Sequence, residues 1–223
     1  MSGAWLHNLV TGELARVNVF PADTGGRRLE VDLWLQPGAA VARAHVHEYL
    51  SERFEVLKGE VGVAIAGREN VARAGDAPVT VPACTVHDWW NASDGVAHVR
   101  VEVAAEPSAP GRPAERFLAM IEAMWSLAAL GRVDADGMPK GLWLAAAGRE
   151  YRDAIRFTKP PAAVQGAVLG PLALVARSTG HDPHAAELHG PTAACAIADP
   201  GADGLAALLA RAARSARSRA PRS

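Results

Sequence analysis

Two histidines and a glutamate lie close together in the segment HVHEYLSERFEVLKG, which begins at His45. On a β-strand, His45 and His47 project from the same face about 7 Å apart along the chain, so their imidazoles can converge on one point. Glu52 follows in a second alternating stretch, in which Phe54 and Val56 share its face. Burying an unpaired carboxylate among apolar side chains costs several kcal/mol or forces it to stay protonated. A divalent metal ion held by the two histidines would remove this cost.

A fourth ligand is predicted on another inward-facing strand. The segment TVPACTVHDWWN supplies His87, which shares its face with Trp89 and Asn91. Three neutral imidazoles and one carboxylate form a mixed nitrogen and oxygen site that suits Fe(II), Mn(II), Ni(II), Zn(II) or Cu(II), and ligand type alone does not choose among these metals. The predicted metal ligands are His45, His47, Glu52 and His87.

Phe54 and Trp89 are the predicted substrate-binding residues, because aromatic side chains that face inward beside a metal can line a pocket above it. The alternative is that both rings belong to an ordinary apolar core. Asn91 is expected to cap the turn into ASDG rather than to contact substrate.

These residues belong to a region of short predicted strands between Trp5 and Val103. In RLEVDLWLQ, apolar side chains alternate with polar ones, and the same period of two recurs in EVGVAIAG and AHVRVEV. Turn sequences such as DTGG, QPG and AGD separate the strands, as in a sandwich or barrel. We therefore expect the first half of the chain to be all-β.

After the segment EPSAPGRP, the apolar period changes to that of a helix. The first helix is expected to start at Pro113, and two others are expected across GLWLAAAGREYRDAIRF and PPAAVQGAVLGPLALVAR. The third segment is apolar nearly all round but lacks the roughly 20 uninterrupted apolar residues of a bilayer span, so no integral membrane span is predicted. From His181 onward, the Ala- and Arg-rich sequence predicts a flexible tail, with a short amphipathic basic helix over LAALLARAARSARSR as the alternative.

Composition narrows the classes of function. The 223 residues are 49% hydrophobic, which is enough for a packed core, and the net charge of −1 does not favour a nucleic-acid partner. Cys84 and Cys195 are too few for a disulfide framework. The first residues lack the features of a secretory signal, so a cytoplasmic location is expected.

Two motifs in this chain resemble those of the cupin superfamily. The first family motif joins a glycine, a His-x-His pair, a glutamate and a second glycine. The matching residues here are Gly38, His45, His47, Glu52 and Gly59. The second family motif joins a glycine, a Pro-x-Gly turn, a histidine and an asparagine. The corresponding residues here are Gly75, Pro82, Cys84, His87 and Asn91, so a cysteine stands where the family has the turn glycine.

This resemblance covers about residues 5–105 and implies a metal-binding jelly-roll β-barrel. More loosely, the chain resembles small bacterial cupin-domain proteins that carry a helical C-terminal extension. We therefore expect a mainly β protein. Its cupin barrel is predicted over residues 1–107, its helical extension over 113–180 and its flexible tail over 181–223.

The leading functional hypothesis is an Fe(II)-dependent oxygenase, a dioxygenase-type oxidoreductase that acts on a small organic substrate. The protein ligands leave open metal positions, and Glu52 could double as a catalytic base. One alternative is a redox-neutral isomerase, cyclase or lyase that uses another divalent metal. The other is a non-catalytic sensor of a small ligand or metal. A homodimer is expected, because exposed barrel strands often pair and the apolar third helix needs cover.

Overall fold

The computed structural model of the protein describes residues 3–219. Its strands are β1 (Trp5–His7), β2 (Leu14–Val19), β3 (Arg28–Leu35), β4 (Ala40–Val46), β5 (Leu50–Lys58), β6 (Glu60–Ile65), β7 (Arg68–Arg73), β8 (Val79–Val81), β9 (His87–Asn91), β10 (Ala97–Ala105), β11 (Arg156–Phe157) and β12 (Ala196–Ile197). Its α-helices are α1 (Pro113–Ala129), α2 (Leu142–Glu150), α3 (Ala162–Ser178) and α4 (Gly201–Arg219).

The strands form two antiparallel sheets. One sheet has the order β12-β1-β2-β3-β10-β5-β8 and the other has the order β11-β4-β9-β6-β7. The longest pairings join β10 to β3 on one side and to β5 on the other. The mainly β barrel with a helical C-terminal extension, as predicted from the sequence, is confirmed.

The predicted alternation determines which side chains fill the barrel. On β3, the buried apolar side chains are Leu29, Val31, Leu33 and Leu35. Asp32 lies on the opposite face of β3 and is also buried, because Arg100 of β10 covers it and donates to its carboxylate over 2.9 Å. The inner faces of the two sheets therefore form the core. The ion pair between Asp32 and Arg100 covers part of the outer face.

Helix α1 begins at Pro113, as predicted, and packs its apolar face on the barrel. The buried residues of this face include Phe117, Leu118, Trp125 and Ala128. Helix α2 ends at Glu150, earlier than the sequence pattern indicates. The backbone of Arg156 and Phe157 instead pairs with β4, so an edge-strand pairing replaces the last helical turns.

Helix α3 forms where it was predicted, but little of its surface is covered. Ala173 and Ala176 are buried, whereas Val168 and Leu174 are 50% and 71% exposed. No helix within residues 3–219 has the length and apolar character needed to cross a membrane.

Part of the segment that was predicted to be a flexible tail packs against the barrel. Ala196 and Ile197 form β12, which pairs with β1, and Leu188 and Cys195 are buried. Helix α4 places Ala212 beside the turn at Gly12, where an added Cβ would lie 2.8 Å from the Ala212 Cβ. The C-terminal segment thus contributes an edge strand to the sheet. The boundaries between the barrel, the helical extension and the tail remain predictions from the sequence.

Candidate metal centre

The four predicted metal ligands come from both sheets. His45 on β4 lies directly opposite His87 on β9, because the two strands pair in that register. His47 follows the end of β4. Glu52 lies on β5 in the other sheet and points into the same space. The site therefore bridges the two layers of the barrel.

The four side chains meet at one buried point. One ligand atom from each residue lies within 4.8 Å of all the others, and each residue is at most 4% exposed. The Nε2 atoms of His45 and His47 are 3.1 Å apart. The Nε2 atom of His87 is 2.9 Å from Glu52 Oε2, and that of His47 is 3.4 Å from Glu52 Oε1. The structure thus brings together all the residues that the sequence assigned to the metal.

Backbone carbonyls orient all three imidazoles. The Nδ1 distances are 2.8 Å from His45 to Arg43 O, 2.6 Å from His47 to Ala154 O and 2.9 Å from His87 to Thr85 O. A carbonyl oxygen only accepts hydrogen bonds, so each Nδ1 atom carries the proton and donates it. In the neutral rings, each Nε2 lone pair therefore points into the site. Such outer partners orient the imidazoles that bind metals in other proteins.

A divalent cation fits this arrangement. His45 and His47 would otherwise face each other with two lone pairs at 3.1 Å, since both Nδ1 protons are already donated elsewhere. Burial, together with the neighbouring His47, lowers the pKa of His45 to about 3, which disfavours an extra proton there. Although burial alone would raise it, His47 and His87 hold the pKa of Glu52 well below its usual value. With all three rings neutral, the centre offers three nitrogen lone pairs and a carboxylate, which is a typical donor set for a divalent metal.

Two of the distances between donor atoms also agree with metal coordination. Donor atoms at right angles around an ion lie about 3.0 Å apart when the bonds are about 2.1 Å long. The contacts of 3.1 Å between His45 and His47 and of 2.9 Å between His87 and Glu52 match this spacing.

One known protein family matches the part of the chain that contains this site. The model of the family described as "Cupin domain" matches residues 33–103, which contain all four ligands. This chain is a cupin-domain protein. No curated protein matches it.

Several solved structures resemble the cupin domain. A cupin-superfamily sugar phosphate isomerase from Silicibacter pomeroyi is 23% identical, with 45% of this chain and 66% of that chain covered and a TM-score of 0.37. A protein from Thermus thermophilus is 32% identical over 37% of this chain and 76% of its own, with a TM-score of 0.34. A predicted oxalate decarboxylase from Thermotoga maritima is 18% identical over 48% and 94% of the two chains, with a TM-score of 0.40.

A cavity of about 270 Å³ lies between the cupin barrel and the helical extension. Its wall includes His45, Glu52 and Trp89 from the barrel. Helices α1, α2 and α3 supply much of the rest, including Phe117, Leu118, Met124, Trp125, Leu144 and Leu169. The candidate metal centre is therefore in contact with a largely apolar space that the extension covers.

The two predicted substrate-binding aromatics have different positions. Trp89 lines the cavity. Phe54 is 1% exposed and packs on Trp89 with the ring centroids 4.8 Å apart. It is not among the described residues that line the cavity. Trp89 thus remains a candidate for substrate contact, whereas Phe54 supports it from behind.

Asn91 caps a turn, as predicted. Its Nδ2 atom donates to Leu35 O and Gly95 O over 3.0 and 2.8 Å, and its Oδ1 atom accepts from Ser93 N over 2.8 Å. These bonds engage both polar atoms of the Asn91 amide, which lies at the opposite end of β9 from His87.

Sequence reasoning missed two features of the site. Ala154 orients His47 through its carbonyl oxygen, and any residue type carries that group, so no sequence signal marks it.

The second feature is Glu13, which also lines the cavity. It accepts hydrogen bonds from Thr11 over 2.6 Å and from Asn8 over 3.1 Å. Burial raises the pKa of Glu13 to about 7. The signal for Glu13 would have been its alternation with Ala15 and Val17, which places a carboxyl group on an inward face.

Cys84, which replaces the turn glycine of the cupin motif, keeps the backbone conformation that glycine favours. Its φ is 59°, in the left-handed region. Its amide donates to His47 O over 2.7 Å, so this turn supports the end of the His-x-His segment. The cysteine therefore leaves the ligands in place at a cost in backbone strain.

We expect Cys84→Gly to raise the free energy of unfolding by about 0.5–1 kcal/mol, because glycine relieves the strain but adds entropy to the unfolded chain. Urea denaturation would measure the change. Cys84→Ala is the matched control, since it removes the thiol but retains a Cβ at the same φ. Equal stabilisation by both substitutions would show that the thiol, rather than the backbone, determines the effect.

Proposed function

We propose that this cupin-domain protein is an Fe(II)-dependent oxygenase that acts on a small organic substrate in the cavity. The observation that carries the proposal is the set of three preoriented imidazoles and one carboxylate that borders an apolar cavity. Sites of imidazoles and a carboxylate with open positions are typical of non-haem iron oxygenases.

His45, His47, Glu52 and His87 would hold the metal. When bound, Fe(II) would supply the redox chemistry that couples an organic substrate to O₂. One carboxylate among neutral imidazoles leaves a net positive charge with a dication.

Aromatic side chains limit the access of water to the centre. The Phe117 ring of α1 lies 5.2 Å from the His47 ring, and the Phe157 ring of β11 lies 6.5 Å from the His45 ring, measured between centroids. Both rings belong to the helical extension, so the extension helps to keep the centre apolar. We propose Trp89 as the barrel residue that contacts the substrate.

Glu52 is also proposed to act as a base when its bond to the metal loosens. Its Oε1 atom is farther from its histidine neighbour than Oε2 is, at 3.4 Å from His47 compared with 2.9 Å from His87. Oε1 is thus the oxygen that is freer to accept a proton from substrate.

The experiment is to prepare the protein anaerobically, load it with Fe(II), Zn(II) or Ni(II), and measure both O₂ consumption and substrate turnover with phenolic, enolic and thiol substrates. We expect consumption with Fe(II) only, and its loss in His87→Gln. If Zn(II) or Ni(II) instead supports turnover without O₂, the protein is a redox-neutral isomerase, cyclase or lyase. No turnover under any condition, together with stoichiometric metal, would favour a non-catalytic sensor.

The homodimer and the cytoplasmic location remain proposals from the sequence. The exposed apolar side chains of α3, such as Val168 and Leu174, form the surface that we expect a second copy to cover.

A further inference from the structure

Three arginines line the cavity where the helical extension meets solvent. Arg149 lies near the end of α2, Arg152 follows in the next turn and Arg156 begins β11. All three side chains are exposed, and none forms an ion pair with a carboxylate within residues 3–219. We call Arg149, Arg152 and Arg156 the arginine mouth.

The acidic side chains beside the arginine mouth are already paired with other cations. Glu150 and Asp153 each accept from Arg116 over 2.9 Å. Glu150 is also 3.5 Å from Arg177 and 3.2 Å from His184. The arginine mouth therefore has an excess of positive charge that these neighbouring carboxylates do not neutralise.

The acidic groups inside the cavity do not offset this charge. Asp136 lies 3.4 Å from Arg43, and Glu52 belongs to the metal centre. Glu13 is enclosed by its hydrogen bonds to Thr11 and Asn8, and its raised pKa of about 7 leaves it only partly charged at neutral pH.

The segment that carries Arg152 and Arg156 contacts two of the candidate metal ligands. Between Arg152 and Arg156, Ala154 accepts the hydrogen bond from His47. Directly after Arg156, Phe157 pairs with His45. The same short segment therefore contacts two of the metal ligands and carries two of the three arginines that line the cavity.

The remaining wall of the cavity is apolar. It includes Phe117, Met124 and Trp125 of α1 and Leu169 of α3. A ligand that matches the whole cavity has an apolar body and one negatively charged group.

We propose that the substrate is an organic acid with an apolar body, whose carboxylate binds the arginine mouth while its body extends toward the metal centre. Guanidinium groups suit this role because they bind carboxylates through paired hydrogen bonds. The role of this acid as a substrate rests on the proposed oxygenase function, whereas its binding does not.

The test is to titrate the metal-loaded protein with octanoate and with 1-octanol, which differ in charge but share an apolar chain. The readout is the tryptophan fluorescence to which Trp89 and Trp125 contribute from the cavity wall. We expect octanoate to bind at least about tenfold more tightly, and the double variant Arg152→Gln, Arg156→Gln to lose about tenfold or more in octanoate affinity with octanol affinity unchanged.

Arg68→Gln is the matched control, because Arg68 is an exposed arginine on β7 outside the cavity wall of the described residues. The metal content of each variant shows that it has folded around its centre. Equal affinity for the two ligands, equal losses of both in the double variant, or no binding of either ligand would each overturn the proposal. Octanoate binding without O₂ consumption by any substrate would instead contradict only the oxygenase function.

Discussion

Replacing Glu52 with glutamine is expected to weaken metal binding by more than about 100-fold. Even the loss of an outer partner of a metal ligand costs about 10–100-fold in affinity. Glu52 is itself the only carboxylate of the buried group found in residues 3–219, and its charge offsets that of the ion. Glutamine has nearly the same shape but no charge, so the barrel should remain folded. Metal analysis and competition with a chromogenic chelator would measure the loss.

Glu55→Gln is the control for this experiment. Glu55 lies on the same strand as Glu52 but on the outer face, where its carboxylate is 3.9 Å from Arg53. We expect this variant to bind metal like the unmodified protein. If Glu52→Gln also retains its metal with unchanged affinity, the carboxylate is not a ligand and the proposed centre is wrong.

Phe54→Ala is expected to lower the free energy of unfolding by about 3–5 kcal/mol, which is the usual cost of deleting a fully buried aromatic ring. For a protein of this size, the melting temperature should fall by roughly 6–20 °C. The reason is structural, since Phe54 is 1% exposed and supports Trp89 from behind. Calorimetry or thermal unfolding followed by circular dichroism would measure the change.

Trp89→Phe separates packing from substrate contact. Trp89 lines the cavity, so this smaller ring should change ligand affinity while costing less stability than Phe54→Ala. A reversed result, in which Phe54→Ala leaves stability intact but abolishes ligand binding, would return Phe54 to the substrate-binding role that the sequence suggested.

The barrel and the buried group of three histidines and one glutamate were predictable because their signals are local. Alternation on β3 depends on neighbouring side chains, and the buried leucines and valines follow it directly. The spacing of His45, His47 and Glu52 carries both their strand geometry and their chemistry. His87 lies far along the chain, but its own motif places it on an inward strand that pairs with β4.

Other features could not be predicted because they depend on contacts between distant, unremarkable residues. Strand β12 consists of Ala196 and Ile197, and only its pairing with β1 makes it a strand. Helix α2 stops early because Arg156 and Phe157 pair with β4, which overrides a favourable helical pattern. The exposed arginines near the end of α2 appear in the sequence as an ordinary solvated face, and only the structure shows that they line one cavity.

The hydrogen bond from His47 Nδ1 to Ala154 O crosses 107 positions of sequence and joins the barrel to its extension. Metal affinity and the local stability of residues 151–157 are consequently coupled, so that a change in either one alters the other. Fraying of this segment would free the His47 ring and weaken the binding of a metal ion at this site. Conversely, a bound ion raises the free energy needed to open the segment, since any ligand stabilises the state that binds it.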